Sequence, residues 1–277
     1  MIPGKDLPHT ESAESTEFSP GDSAGSVLSD AVLRAGSVLG TGLLAPVLVW
    51  QGRRVRATTP RLPEAAGLRT GEVAGAGAAV DLLVLGESTA AGVGAQDHQQ
   101  GLAGQVARSL AAETGRPVRW RVLARNGATA AITRDELLAP ADAVAADVAV
   151  VVLGVNDTLR LHAPARWTRD LRALIQAVRE RCGPIPVVLA AVPPMGVFPG
   201  LPQPLRGVLG LRAAVLDRAA ARLAAELDAV RHAAVPLPPG AVDDFFCADR
   251  FHPSPNGYAQ WGQALGHAAA ASLTARP

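Results

Sequence analysis

Val80-Asp81-Leu82-Leu83-Val84-Leu85-Gly86-Glu87-Ser88-Thr89-Ala90-Ala91-Gly92-Val93-Gly94 is the stretch from which the rest of the chain can be read. Its first half is a short Leu/Val run, apolar on both faces and too brief for a helix, which predicts a strand buried in the middle of a sheet. Its second half is small residues and glycines, which let the backbone turn sharply and let other atoms come close. Ser88 therefore sits just past the C-terminal tip of a buried strand, where open α/β sheets place their chemistry. Alone, such a serine reads equally as a cap for the following helix.

Downstream, strand and helix patterns alternate. Leu102, Val106 and Leu110 recur every four residues and predict an amphipathic helix ending near Gly115. Residues 118–124 read as a second strand with Asn126-Gly127 as its turn, and residues 135–145 as a helix. Residues 148–153 read as a third buried strand, ending in Gly154-Val155-Asn156-Asp157. Trp167, Leu171, Leu174 and Val178 mark a helix stopped by Gly183-Pro184, and residues 187–192 a fourth strand. A Pro/Gly-rich loop over residues 193–210 precedes a long helix over 211–230, and a final helix runs from about Pro255 to Thr274. This alternation predicts a parallel sheet covered by helices on both faces.

Upstream the chain reads differently. Residues 1–30 are polar, without periodicity, and are expected to be disordered. Residues 31–50, opening on Ala31 and ending on Trp50, are mostly apolar, and a basic cluster of Arg53, Arg54 and Arg56 follows. The order of charge and apolar run is wrong for a secretory signal. The uncharged part, residues 35–51, is at the short edge of the ~17–25 residues a bilayer span needs, and it carries three glycines and a proline. A helix lying on a membrane, or docked on the protein's own surface, competes with a span. The protein is expected to be cytoplasmic, with peripheral membrane contact through residues 31–50 as one role for that run. Residues 58–79 read as a linker, so the expected division is 1–30, 31–79 and a catalytic-type domain over 80–277.

Composition narrows the function. Net charge is +1 and only 18% of residues are charged, with no basic stripe interleaved with aromatics, so nucleic acid is excluded as an expected partner. Cys182 and Cys247 are far apart and make no CxxC pair, which points to two free thiols rather than a metal site or a disulfide framework. A phosphate-binding loop would need a lysine the domain lacks, and a dinucleotide fingerprint would need a third glycine near Asp97.

Three strand ends thus carry polar turn residues, Ser88, Asn126-Gly127 and Asn156-Asp157. Near the end of the chain, Asp249 precedes His252 by three residues, within reach of its imidazole. Each piece alone has an ordinary explanation, since Asn, Asp and Gly favour turns and a histidine before proline can sit idle in a loop. Together they supply what ester hydrolysis needs: a nucleophile, a base oriented by a carboxylate, and donors for the oxyanion. The α/β-hydrolase nucleophile elbow is a poorer match, because there the serine comes well into the sheet and the acid lies far from the histidine.

In this order the blocks resemble the SGNH (GDSL-type) serine hydrolases, over residues 80–272. Gly86-Glu87-Ser88 is similar to the family's Gly-Asp-Ser block, with Glu in place of Asp. Asn126-Gly127-Ala128-Thr129-Ala130 is similar to the second block, Gly154-Val155-Asn156-Asp157 matches Gly-x-Asn-Asp, and Asp249-Arg250-Phe251-His252 matches Asp-x-x-His. The resemblance implies an α/β, three-layer flavodoxin-like fold with a parallel central sheet. It implies Ser88, His252 and Asp249 as catalytic triad, and the Ser88 amide, the Gly127 amide and the Asn156 side chain as oxyanion donors. The expected function is hydrolysis of carboxylic esters of small molecules or lipids, with short to medium acyl chains, needing no metal or cofactor. An acyltransferase or deacetylase with the same machinery, and a catalytically silent membrane-associated binding module, are the alternatives. Glu87 and Asp157 are expected to anchor their turns. Met195, Val197, Phe198 and Leu201, in the loop beyond the fourth strand, are expected either to wall a substrate pocket or to cover the end of the sheet.

Overall fold

The computed structural model describes residues 45–142, 144–237 and 242–275. In chain order the elements are helix α1 (Ala45–Thr58), strands β1 (Thr70–Val73) and β2 (Val80–Gly86), helix α2 (Leu102–Thr114), strand β3 (Val118–Ala124) and a short helix α3 (Ala130–Ile132) that widens into a π turn over Thr133–Leu138. Then come β4 (Val148–Val152), α4 (Val155–Leu159), α5 (Pro164–Cys182), β5 (Val187–Ala190), a single 3-10 turn (Met195–Val197), α6 (Leu205–Glu226), β6 (Val230–Ala233), α7 (Val242–Phe245) and α8 (Pro255–Thr274).

The strands form one sheet in the order β1-β3-β2-β4-β5-β6. Every pairing is parallel except β1 against β3. Setting aside the antiparallel edge strand β1, the order is that of the flavodoxin-like doubly wound sheet, whose connections reverse direction between its first and third strands, here β2 and β4. All five residues of β4 and six of the seven of β2 are buried. A strand buried on both sides needs helices over both faces. Two helix pairs provide the cover: α2 packs along α8, and α5 packs along α6, the latter joined where Trp167 Nε1 donates to the Leu216 carbonyl at 3.0 Å.

Several boundaries differ from the sequence reading. The long loop is shorter than expected, because α6 begins at Leu205 rather than Leu211, and it ends at Glu226. The residues after it form β6, which pairs with β5 through Val187↔Val230 to Ala190↔Ala233. The expected helix over 135–145 starts earlier and ends at Leu138. Cys182 and Cys247 are both free thiols.

The larger correction concerns residues 58–79, which are packed into the domain rather than forming a linker. β1 lies in the sheet. The amide of Gly94 donates to the Pro63 carbonyl, and the amides of Ala65 and Ala66 donate to the carbonyls of Ala91 and Gln96. One helix, α1, contains both the end of the apolar run and the basic cluster, and it docks on α6 through Leu48 and Gln51, its two buried residues. The Gln51 amide bridges backbone on the far side: Nε2 donates to the Gln203 carbonyl at 2.6 Å, and Oε1 accepts the Leu205 amide at 3.0 Å. Among the described residues no helix is long and apolar enough to cross a membrane. Residues 1–44, and with them the expected disordered segment, lie outside the described residues.

Candidate active site

The site forms at the carboxyl ends of β2, β3 and β4, around the reversal of the sheet. Gly86 closes β2 at φ +155°, and a Cβ there would lie 2.1 Å from the Val152 carbonyl oxygen. That close approach lets the Glu87 amide donate to the same carbonyl at 3.1 Å, pulling the ends of β2 and β4 together. Gly154, after β4, has φ +124°, and a Cβ there would collide with Val192 at 2.5 Å. The Ser88 turn is held from the opposite side by Tyr258 on α8, whose buried hydroxyl donates to the Val93 carbonyl at 2.8 Å.

Glu87 ties the first and third turns. Its Oε1 accepts the Val155 amide at 2.9 Å; its Oε2 accepts the Asn156 amide at 2.9 Å and the Asn156 side-chain Nδ2 at 2.5 Å. Burial pushes its carboxyl up to about 8, against the donated hydrogen bonds, which favour the anion. One of the two Asn156 amide hydrogens is occupied by Glu87, which leaves the other for a ligand. Asp157, fully buried, accepts the Ala130 amide through Oδ2 at 3.3 Å and meets His162 Nδ1 through Oδ1 at 2.8 Å. Both acids therefore have the anchoring contacts expected of them.

The second turn is braced by residues the sequence reading passed over. Glu64 Oε1 accepts the Asn126 amide at 2.6 Å, while its Oε2 pairs with Arg69, also at 2.6 Å. Arg69 in turn donates to the Ala124 carbonyl, and Arg160 donates to the Gly127 carbonyl at 3.1 Å. The available signal was a pair of opposite charges five residues apart in an otherwise Pro- and Gly-punctuated stretch. Gly127 has φ +81°. Among the described residues neither its amide nor that of Ser88 is given to a protein acceptor.

Asp249 and His252 lie on the loop before α8. Asp249 Oδ2 is 2.6 Å from His252 Nδ1, and Asp249 Oδ1 accepts the amides of Phe251 and His252, each at 3.0 Å. Arg250 between them takes a left-handed φ of 58°, which folds the loop back onto the carboxylate. Burial works against the Asp249 anion, but the hydrogen bonds from His252 and the two amides together outweigh it and hold the carboxyl below its ordinary range. The His252 Nε2 has no partner among the described residues.

Ser88 and His252 line the same small recess, about 20 Å³, walled by aromatic side chains that include Phe198, Phe246 and Phe251. Phe198 meets Phe246 and Phe251 edge to face, at centroid distances of 5.0 and 5.1 Å. Of the four expected pocket residues, Phe198 lines this recess and Leu201 lines a larger cleft that also reaches His252. Met195 and Val197 line neither. Met195 is fully buried in the core beneath the loop, and Val197, 43% exposed, points outward. Met195 thus packs in the core, Phe198 and Leu201 face the recess and the cleft, and Val197 does neither. Among the described residues no cluster of three or more His, Cys, Asp or Glu is placed to hold a metal ion.

Chemically, this is an imidazole oriented at one nitrogen by a buried carboxylate, a serine hydroxyl in the same recess, and unspent amide donors at two neighbouring turns. Residues 84–260 match the GDSL-like lipase/acylhydrolase family. The chain is 32% identical over 195 residues to the GDSL-like esterase Rv1075c of Mycobacterium tuberculosis, an alignment covering 65% of this chain and 58% of that protein. It thus spans less than two thirds of that relative's length. Among solved structures, TesA superimposes with a TM-score of 0.54 at 25% identity, covering 70% of this chain and 99% of TesA. The esterase EstA of Pseudoalteromonas sp. gives a TM-score of 0.54 at 16% identity, over 71% of this chain and 99% of EstA, a likeness of fold. Fold, block order and family match agree, and the chain belongs to the GDSL-like lipase/acylhydrolase family.

Proposed function

We propose that the protein is a serine esterase that hydrolyses carboxylic esters carrying a short acyl group. Ser88 Oγ attacks the carbonyl carbon while His252 Nε2 takes its proton; Asp249 holds the ring tautomer and stabilises the imidazolium. The oxyanion is met by the amides of Ser88 and Gly127 and by the free hydrogen of the Asn156 side chain. His252 then protonates the leaving alcohol as the tetrahedral intermediate collapses to an acyl-Ser88 ester. Water, deprotonated by His252, then attacks the acyl carbon, and as its bond to Ser88 Oγ breaks His252 returns the proton to that oxygen and the acid leaves.

The observation that carries this reading is the 2.6 Å Asp249–His252 contact in a recess shared with Ser88. The size of that recess, close to the space one water needs, supports a small acyl group. The test is turnover of 4-nitrophenyl esters from acetate to decanoate. Acetate should give the highest kcat/KM, and Ser88→Ala should abolish turnover. A folded Ser88→Ala protein with near-native turnover would refute the assignment.

A further inference from the structure

Beside the recess lies a second, much larger space, an apolar cleft of about 690 Å³ between α1 and the N-terminal part of α6. Leu48 and Val55 of α1 face it from one side, Leu205 and Leu209 of α6 from the other, and His252 stands at its inner end. Three arginines also line it, Arg53, Arg56 and Arg61, all exposed, and none makes a hydrogen bond or ion pair with another described residue. Among the described residues the one acid on its walls is Asp249, whose oxygens are already engaged by His252 and the Phe251 and His252 amides.

We infer that this cleft binds the alcohol part of the ester, and that this part is an anionic amphiphile: an apolar chain ending in a phosphate, sulfate or carboxylate. The inference rests on the esterase reading and on the fit of the cleft to such a group. On that reading the acyl group takes the recess, and the rest of the ester passes by Phe251 and His252, which line both spaces, into the cleft. There it meets leucine and valine surface that only an apolar chain would desolvate with profit. Farther out it meets guanidinium groups, which bind phosphate and carboxylate with directed, charge-assisted hydrogen bonds. A neutral chain would gain nothing from these three exposed arginines, and a cationic one would be repelled by them.

The test uses the full chain, 4-nitrophenyl acetate as reporter, and three inhibitors kept monomeric: decyl phosphate, decanol and inorganic phosphate. Decyl phosphate should compete with an inhibition constant about tenfold or more below that of decanol, and inorganic phosphate at the same concentration should not compete. Arg53→Glu combined with Arg56→Glu should abolish the advantage of decyl phosphate over decanol. Should that variant fail to fold, wild-type protein in about 1 M salt, where the Debye length is about 3 Å, should lose most of the same advantage. Equal constants for the two inhibitors in wild type, or an advantage that survives charge reversal or salt, overturns the proposal. Binding to anionic vesicles that requires Arg53 and Arg56, without competition by monomeric decyl phosphate, assigns the arginines to a membrane-facing role and also overturns it. Calorimetric titration with decyl phosphate separates the two readings. Arginine-dependent binding by a protein that hydrolyses no ester means that the esterase reading fails while the anionic site stands.

Discussion

His252 Nδ1 and Asp249 Oδ2 are 2.6 Å apart, three residues from one another on a single loop, and the carboxylate's other oxygen is fixed by the Phe251 and His252 amides. The loop thus builds the acid–base pair by itself and presents it to Ser88 across the sheet end. Asp249→Asn keeps the shape and reverses the donor at Nδ1, which favours the wrong tautomer. It should lower kcat on the order of 10⁴-fold with little change in KM, read from steady-state kinetics beside a circular dichroism spectrum. A loss confined to KM would mean that the pair binds substrate instead.

Glu87 should act through Asn156. Asn156→Ala removes an oxyanion donor and should cost roughly 10²–10³ in kcat. Glu87→Gln places an amide against backbone donors and should lower kcat less. Because the two share one function, the double variant should be no slower than Asn156→Ala alone; additive losses would show that Glu87 acts elsewhere.

Glu87 also predicts a pH dependence of stability. Its folded pKa is raised to about 8 from 4.5, so between those values the folded state holds a proton that the unfolded state has released. Its contribution to stability is complete below about 4.5 and falls as pH climbs to about 8. Asp249 has the opposite sign: its pKa is lowered, so its contribution is present at neutral pH and lost as pH drops through the depressed value. Denaturant midpoints across pH should fall toward the alkaline side in wild type, and that fall should shrink in Glu87→Gln.

Gln51 is the pin that holds α1 to the start of α6. Gln51→Ala leaves the Gln203 carbonyl and the buried Leu205 amide without their partner and should cost about 1–3 kcal/mol. The checks are a lowered denaturant midpoint and faster proteolysis within residues 45–60. An unchanged cleavage pattern would mean that α1 is held by its apolar contacts alone.

Phe198 closes the recess beside Ser88. Phe198→Ala should destabilise by about 3–5 kcal/mol and shift the acyl preference from acetate toward longer chains. Acyl profiles that superimpose on wild type would place the acyl group outside this recess.

The central strands and the chemistry were legible in the sequence for one physical reason. Strands buried on both faces read as continuous apolar runs, as residues 82–85 and 148–152 do, and the polar residues that follow them at their ends stand out. β1 and β6 escaped notice because edge strands are short and half exposed: residues 70–73 and 230–233 carry no apolar run and take their structure from a neighbour. Helix α1 was split in the reading because its apolar half and its arginines looked like different things. They belong to one helix whose buried side is only Leu48 and Gln51, while Val47, Val49 and Trp50 are exposed along with the arginines, Arg54 lying over the Trp50 ring. The brace of Glu64 on Asn126 spans more than sixty residues of chain, and no local pattern announces it.

The central claim is that Ser88 is the nucleophile, and covalent labelling tests it most directly. A fluorophosphonate probe should attach once per chain, peptide mass mapping should place the adduct on Ser88, and Ser88→Ala should take up none. Labelling of folded Ser88→Ala to the wild-type extent, or an adduct mapped to another residue, would contradict the account.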